Sequence, residues 1–204
     1  LEGALAIMAN GALILQFPVA HSFLLSQRGQ KILSLLGPKD LAISLSTTSF
    51  TIVASIQLFA LFMLWSPSKI VFELPFEFLI YILPILYCLS WFLLIVATID
   101  AGLEVQSGAL GWISVLARKK PKFPELPTSG LYRIIRHPIY ASFFLAVLTV
   151  PTWTADQIVV SLILGGYCIF APILKDRRLI ERHGEKYLRY KNTTPYMLPS
   201  KIIK

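Results

Sequence analysis

The chain has 204 residues, 55% of them hydrophobic and only 15% charged, with a mean hydropathy of +0.67. A soluble domain of this size carries charge on about a quarter of its residues, so composition excludes an ordinary soluble globular protein and points to an integral membrane protein. The net charge of +8 then reads as the basic face of a membrane protein against anionic lipid, and a nucleic-acid partner is not expected.

Five apolar runs follow in chain order. Ala4–Leu25 is the first, interrupted by Pro18. It lacks a basic leader and a small-residue cleavage site, so it is read as a span and not a signal peptide. Leu41–Trp65 is the second, with Ser and Thr on its early turns, and Phe76–Ile99, containing Pro84, is the third. The fourth run, Ile139–Val150, is short. A helical span needs about 20 residues, so this helix is expected to begin near Leu131. Pro151 closes it. Asp156 is the expected cap of the fifth run, Gln157–Leu174, and the two make a tight hairpin. Cys88 and Cys168 both sit inside apolar runs and read as packing residues, not as a disulfide or a metal site.

Charge sets the orientation. All but one of the 19 Lys and Arg residues fall in segments 26–40, 100–136 and 175–204; the exception is Lys69. With five spans these three segments share one side, which should be cytoplasmic, with the N-terminus on the other. One span more or fewer would scatter the charge. The expected location is the prokaryotic inner membrane. One membrane domain covers 1–204: three N-terminal spans to residue 99, a connection over 100–130, and a C-terminal portion over 131–204. Within the connection, Leu110, Ile113 and Leu116 share a helical face and predict an interfacial helix ahead of Arg118, Lys119 and Lys120. "PKFPELPTSG" predicts an extended linker.

The segment "LYRIIRHPIYASFF" (131–144) places Arg133, Arg136 and His137 at the mouth of an apolar run. A collar of snorkelling arginines accounts for Arg133 and Arg136 alone. The His137-Pro138 pair needs more. Proline frees a backbone carbonyl, and irregular backbone at membrane depth is tolerated where it lines a wet or ligand-filled cavity. Arg, His and Tyr140 around such a cavity suit an anionic group and a polar heterocycle. The tail "KDRRLIERHGEKYLRYKNTTPYMLP" predicts a charged helix stopping near Asn192, with Tyr187 and Tyr190 on one face. It reads as a solvated helix on lipid headgroups, or, given Pro195, Pro199 and the apolar Tyr196-Met197-Leu198, as a lid turned back over a pocket.

These two segments, separated by one helical hairpin, resemble the isoprenylcysteine carboxyl methyltransferase superfamily of integral membrane methyltransferases. "GLYRIIRHPIY" matches its Gly-x-Tyr-x-x-x-Arg-His-Pro-x-Tyr element, and "RLIERHGEKYLRYKNTTPYMLP" its C-terminal element. The likeness covers about the last 75 residues; "FPVAHSFLLSQRG" is more weakly similar to the branch of methanethiol S-methyltransferases and nitrite-reductase-associated membrane proteins. The resemblance implies an all-α membrane fold with five transmembrane helices, an interfacial helix and a cytosolic lid. It implies S-adenosylmethionine as cofactor, bound through Gly130, Tyr132, Arg136, His137, Tyr140, Asp176, Glu181, Tyr187 and Tyr190, with Arg136, His137 and Asp176 in catalysis and no metal. The acceptor would be a small thiol or another hydrophobic molecule partitioned into the membrane, with the carboxylate of a prenylcysteine, as in an isoprenylcysteine-type carboxyl methyltransferase, as the alternative. This sequence departs from the family's paired acids, which fall on Lys175 and Asp176, and from its Phe-Gly, here His183-Gly184. Two other readings remain. One is a haem protein with His21 and His137 as axial ligands, and the other is a scaffold that has kept the fold without the activity.

Overall fold

The structure is a computed structural model and describes residues 1–199. Four helices are long and apolar enough to cross a membrane: α1 (Gly3–Leu24), α3 (Ser46–Met63), α4 (Leu79–Asp100) and α9 (Ala155–His183). Shorter helices fill the connections: α2 (Gln27–Leu33), α5 (Leu103–Gln106), α6 (Ala109–Leu116), α7 (Leu131–Ile134), α8 (Pro138–Leu148) and α10 (Glu185–Thr193). The helices neighbour one another in the order α4, α8, α9, α1, α3.

Outward faces stay apolar. Ile56 and Phe59 on α3, and Ile85 and Phe92 on α4, are among many large exposed hydrophobic side chains. In water such a surface would be a liability, whereas in a bilayer it is the solvated face. The contacts between helices use small residues. Ala6 and Gly11 on α1, Ala146 on α8, and Gly165, Cys168 and Ala171 on α9 let backbones approach closely. A β-carbon added at Gly11 would meet Val159 at 3.4 Å, and one at Gly165 would meet Phe144 at 3.6 Å.

Two expectations are corrected. The fourth apolar helix does not begin at Leu131. The chain forms one turn, α7, then goes extended at Ile135 (φ −138°, ψ 148°) and restarts at Pro138. Proline disfavours helical backbone in the residue before it, and His137 duly leaves the helix region (φ −126°, ψ 56°). At 11 residues, α8 spans only about 16 Å. The cap of α9 is Thr154, whose Oγ1 accepts from Gln157 N at 3.0 Å, and not Asp156. Asp156 lies two residues further on, in the first turn of α9, with its carboxylate turned to α1 and the α3–α4 connection.

That carboxylate ties one end of the bundle. Its Oδ1 accepts from Asn10 Nδ2 and its Oδ2 from Ser68 N, both at 2.8 Å. Asn10 also donates to Ser66 O at 2.7 Å and accepts from Ser66 N at 3.2 Å. A two-residue antiparallel ribbon, β1 (Val71–Phe72) against β2 (Trp153–Thr154), joins the same two connections. The sequence pattern gave no sign of it. An open apolar concavity of about 340 Å3 lies at this end, lined by Leu79, Leu83, Leu148 and Trp153. Its one titratable lining residue is Glu73, so the chemistry-bearing side chains lie elsewhere.

Candidate active site

The break between α7 and α8 builds the site. Gly130 precedes α7 with φ +58°, a conformation that side chains disfavour, and a β-carbon there would fall 2.1 Å from Asp100 Oδ2. The same oxygen accepts from Leu131 N at 2.8 Å. Asp100, at the end of α4, thereby takes one of the free N–H groups at the start of α7. Tyr132 follows and is buried.

Because the helix stops at Ile134, the next N–H groups are free to pair elsewhere. Arg136 N donates to Pro195 O at 2.8 Å, and His137 N donates to Tyr196 O at 3.3 Å. The C-terminal segment is thus strapped to the break by backbone bonds. The Arg136 side chain adds to the strap. Its Nη1 donates to the carbonyls of Lys191 (2.9 Å) and Thr194 (2.8 Å), which the end of α10 leaves without helical partners. Its guanidinium also lies 5.5 Å from the centroid of the Tyr196 ring.

At the centre is Asp176, 5% exposed. Arg136 Nη2 lies 3.3 Å from its Oδ2, Lys191 Nζ 3.5 Å from the same oxygen, and His137 Nε2 2.8 Å from its Oδ1. The Tyr187 hydroxyl donates to Oδ1. Tyr190 donates instead to Tyr132 O at 2.6 Å, and its ring stands 5.9 Å from that of Tyr187. One carboxylate therefore faces two fixed cations and a histidine. The imbalance leaves room for further negative charge.

Protonation follows from burial. Burial lowers His137 below its ordinary value, with the Asp176 contact opposing, so the imidazole is neutral at physiological pH. Tyr132 and Tyr187 are pushed above the ordinary tyrosine range, chiefly by burial, and Tyr190 is raised to about 12 for the same reason. All three are neutral hydroxyl donors. Several polar atoms have nothing to bond. His137 is 1% exposed, yet neither ring nitrogen has a hydrogen bond of good geometry. The 2.8 Å approach of Nε2 to Asp176 is close, but it lies off the in-plane direction that a ring N–H requires. Arg136 Nε and the Tyr132 hydroxyl are also buried without partners.

Of the residues expected from sequence, Tyr132, Arg136, His137, Asp176, Tyr187 and Tyr190 come together, with Gly130 as the hinge. Tyr140 stands one ring away, 6.1 Å from His137 between centroids. Glu181 is exposed and makes no ion pair among the described residues. Lys175 turns from the cluster and lies over the Tyr140 ring at 5.7 Å. Asp100 and Lys191 were not singled out, and Tyr196 was expected only as part of the lid. Lys191 carries a sequence signal, since it falls four residues after Tyr187 on one helical face. Asp100 carries none, 31 residues from its partner. His21 and His137 have no direct ring contact among the described residues. The rings of Tyr140 and Tyr167 link them, with centroids 6.1, 6.3 and 6.4 Å apart in turn.

Comparison with known proteins adds to this geometry. The chain is 27% identical over 197 residues to a protein named methanethiol S-methyltransferase from Pseudomonas deceptionensis, covering 96% of this chain and 74% of that one. It is 26% identical over 195 residues to methanethiol S-methyltransferase 1 of Bradyrhizobium diazoefficiens, covering 95% and 67%. A protein of that name from Mycobacterium tuberculosis is 24% identical over 197 residues, covering 95% and 78%. The chain is thus similar along nearly its whole length to several proteins named methanethiol S-methyltransferase. The likeness runs through all the long helices and not only the C-terminal motifs. No protein-family model and no solved structure matches the chain.

Proposed function

We propose that this chain is an S-adenosylmethionine-dependent methyltransferase whose acceptor is a small thiol. The observation that carries the reading is similarity over about 95% of the chain to several proteins named methanethiol S-methyltransferase. The cluster around Asp176 suits the cofactor. A polar ligand with a carboxylate, an ammonium and a heterocycle needs donors, an acceptor and aromatic faces. His137, Arg136 Nε and the Tyr132 hydroxyl are buried and unpartnered, Asp176 is an acceptor, and Tyr187, Tyr190 and Tyr196 supply rings. When bound, the cofactor supplies an activated methyl group on a sulfonium.

The protein's own part is then mainly alignment and exclusion of water. Arg136 and the neutral His137 offer N–H groups to a carboxylate. Asp176 meets an ammonium, and tyrosine rings flank the remainder. The strap from Pro195 and Tyr196 closes over the break as a lid. In this reading α8 serves as the fifth crossing element, with the basic connections and the C-terminus cytoplasmic. The test is equilibrium binding of labelled S-adenosylmethionine to the purified protein, then transfer to methanethiol and, separately, to a prenylcysteine. Binding at micromolar cofactor that is lost in His137→Ala, with transfer to the thiol, is the expected result. Absence of binding overturns the reading; transfer to the prenylcysteine alone moves the acceptor to a carboxylate.

A further inference from the structure

Helix α9 presents two different faces to the basic end. Asp176 lies nine residues after Tyr167, about two and a half turns, and so on the opposite side of the helix. Lys175 and Arg178 lie eight and eleven residues after Tyr167, which brings both back toward its side. Across from that side stand α1 and α8, both packed on α9. Here the side chains leave chemistry unused.

From α1 comes His21, ringed by aromatics: Phe17 at 5.4 Å, Phe50 of α3 at 4.9 Å and Tyr167 at 6.4 Å between centroids. Its Nδ1 is buried with no partner. Ser22 donates to the Tyr167 hydroxyl at 3.3 Å, and the Tyr167 ring stands 6.3 Å from that of Tyr140. The Lys175 ammonium sits over the Tyr140 ring. Arg178, eleven residues on from Tyr167, returns almost to the same face of α9 as that ring. Both cations are partly buried, and neither forms an ion pair among the described residues. Two cations, an imidazole nitrogen and a set of ring faces thus gather where α1, α8 and α9 meet, and neither cation has a carboxylate within salt-bridge distance among the described residues.

A thiol acceptor needs these groups. The reactive form is the thiolate, which neighbouring Lys and Arg favour, and a small sulfur compound packs well on aromatic faces. We propose that the junction of α1, α8 and α9 is the thiol subsite. Lys175 and Arg178 hold the sulfur as its thiolate against Tyr140 and Tyr167, and His21 Nδ1 receives the proton. In that step the S–H bond breaks, its electron pair stays on sulfur, and an N–H bond forms on the imidazole. Tyr140 borders both this junction and His137, so the sulfur is delivered next to the Asp176 cluster. The inference rests on the methyl-transfer reading. It also gives Lys175 a use, at the position where the resemblance leads one to expect an acid.

The test uses the full chain in detergent or lipid nanodiscs, with two readouts: KM for methanethiol, and the equilibrium dissociation constant of labelled S-adenosylmethionine. Lys175→Met and Arg178→Met are each expected to raise KM about tenfold or more, with cofactor binding unchanged. Unchanged cofactor binding also shows that the variant is folded. Lys175→Arg keeps the charge and should keep most of the affinity for thiol. His21→Phe preserves the ring packing; it should slow transfer at neutral pH and recover under alkaline conditions, where thiols ionise unaided. Of the ionisable and charged groups, Tyr167 on α9 faces the His21 ring directly, Arg178 shares that face of α9, and Tyr140 on α8, with Lys175 over it, stands one ring further away. A KM unchanged after both cations are removed overturns the proposal and leaves them as headgroup contacts. Equal weakening of cofactor and thiol also overturns it, assigning the cations to the cofactor. A parent protein that binds cofactor but transfers nothing to thiols removes the thiol acceptor itself, a failure of the earlier reading that is distinct from an active parent with indifferent variants.

Discussion

Two buried aspartates stand near the two ends of α9. Asp156 is 7% exposed and Asp176 is 5% exposed. Their partners differ in kind. Asp156 is held by neutral donors, a side-chain amide and a backbone N–H, in near-ideal bonds. Asp176 is held by Arg136, Lys191, His137 and the Tyr187 hydroxyl, in a cluster that leaves several nitrogens unpartnered. A satisfied network is a staple, because nothing is gained by adding a ligand to it. An over-charged, under-bonded network invites one.

Exchanging the roles breaks this comparison most directly. Asp176→Asn should lower cofactor affinity more than about tenfold. It should also cost about 3 kcal/mol of stability, because buried cations lose their counter-charge. Asp156→Ala should cost about 2 kcal/mol by stranding Ser68 N and the Asn10 amide, with cofactor affinity intact. Labelled-cofactor binding and thermal unfolding in detergent measure both. Equal loss of binding in the two variants would erase the distinction. Gly130→Ala should come next. It must place a methyl group against the Asp100 carboxylate at positive φ, costing about 1–3 kcal/mol and lowering methyl transfer along with it. Alanine at Gly3, also at positive φ but with open space around it, should be much milder.

Arg136→Lys sharpens the comparison at the strap. A lysine ammonium has no planar fork to serve two carbonyls and a carboxylate together. The tail should loosen, seen as faster proteolysis after residue 190, and cofactor affinity should fall about tenfold. The smallest effect is on pH. Burial holds His137 below its ordinary value of 6.5, so as pH falls the unfolded chain takes up a proton that the folded chain refuses. Stability should therefore decline as pH drops through 6.5 and be indifferent to this group above it. His137→Gln should flatten that part of the unfolding-midpoint curve.

The long apolar helices were legible because hydropathy over 18 or more residues is a one-dimensional property. So was much of the cluster, since Arg136, His137, Tyr187 and Tyr190 belong to two local motifs. What escaped depends on where backbone hydrogen bonds go. The break at Ile135 follows from Pro138 only once Pro195 and Tyr196 are known to supply the replacement acceptors. The Asp100 cap and the Asn10–Asp156 tie join residues 31 and 146 apart, with no local pattern to announce them. Lys175 looked from its position like a defective member of the Asp176 group. Its ammonium over the Tyr140 ring shows that it points to a different face of the helix, about 100° around from Asp176.

The backbone bonds from Arg136 to Pro195 and from His137 to Tyr196 set an order of assembly. Among the described residues, every helix long enough to cross the membrane is complete by residue 183. A chain halted by a premature stop soon after that point would still insert, and would hold its Asp156 staple. It would have no acceptors for the two freed N–H groups and no closed site. The strap is thus made after the apparatus for the membrane, and the segment that follows residue 183 acts as a timer between insertion and closure.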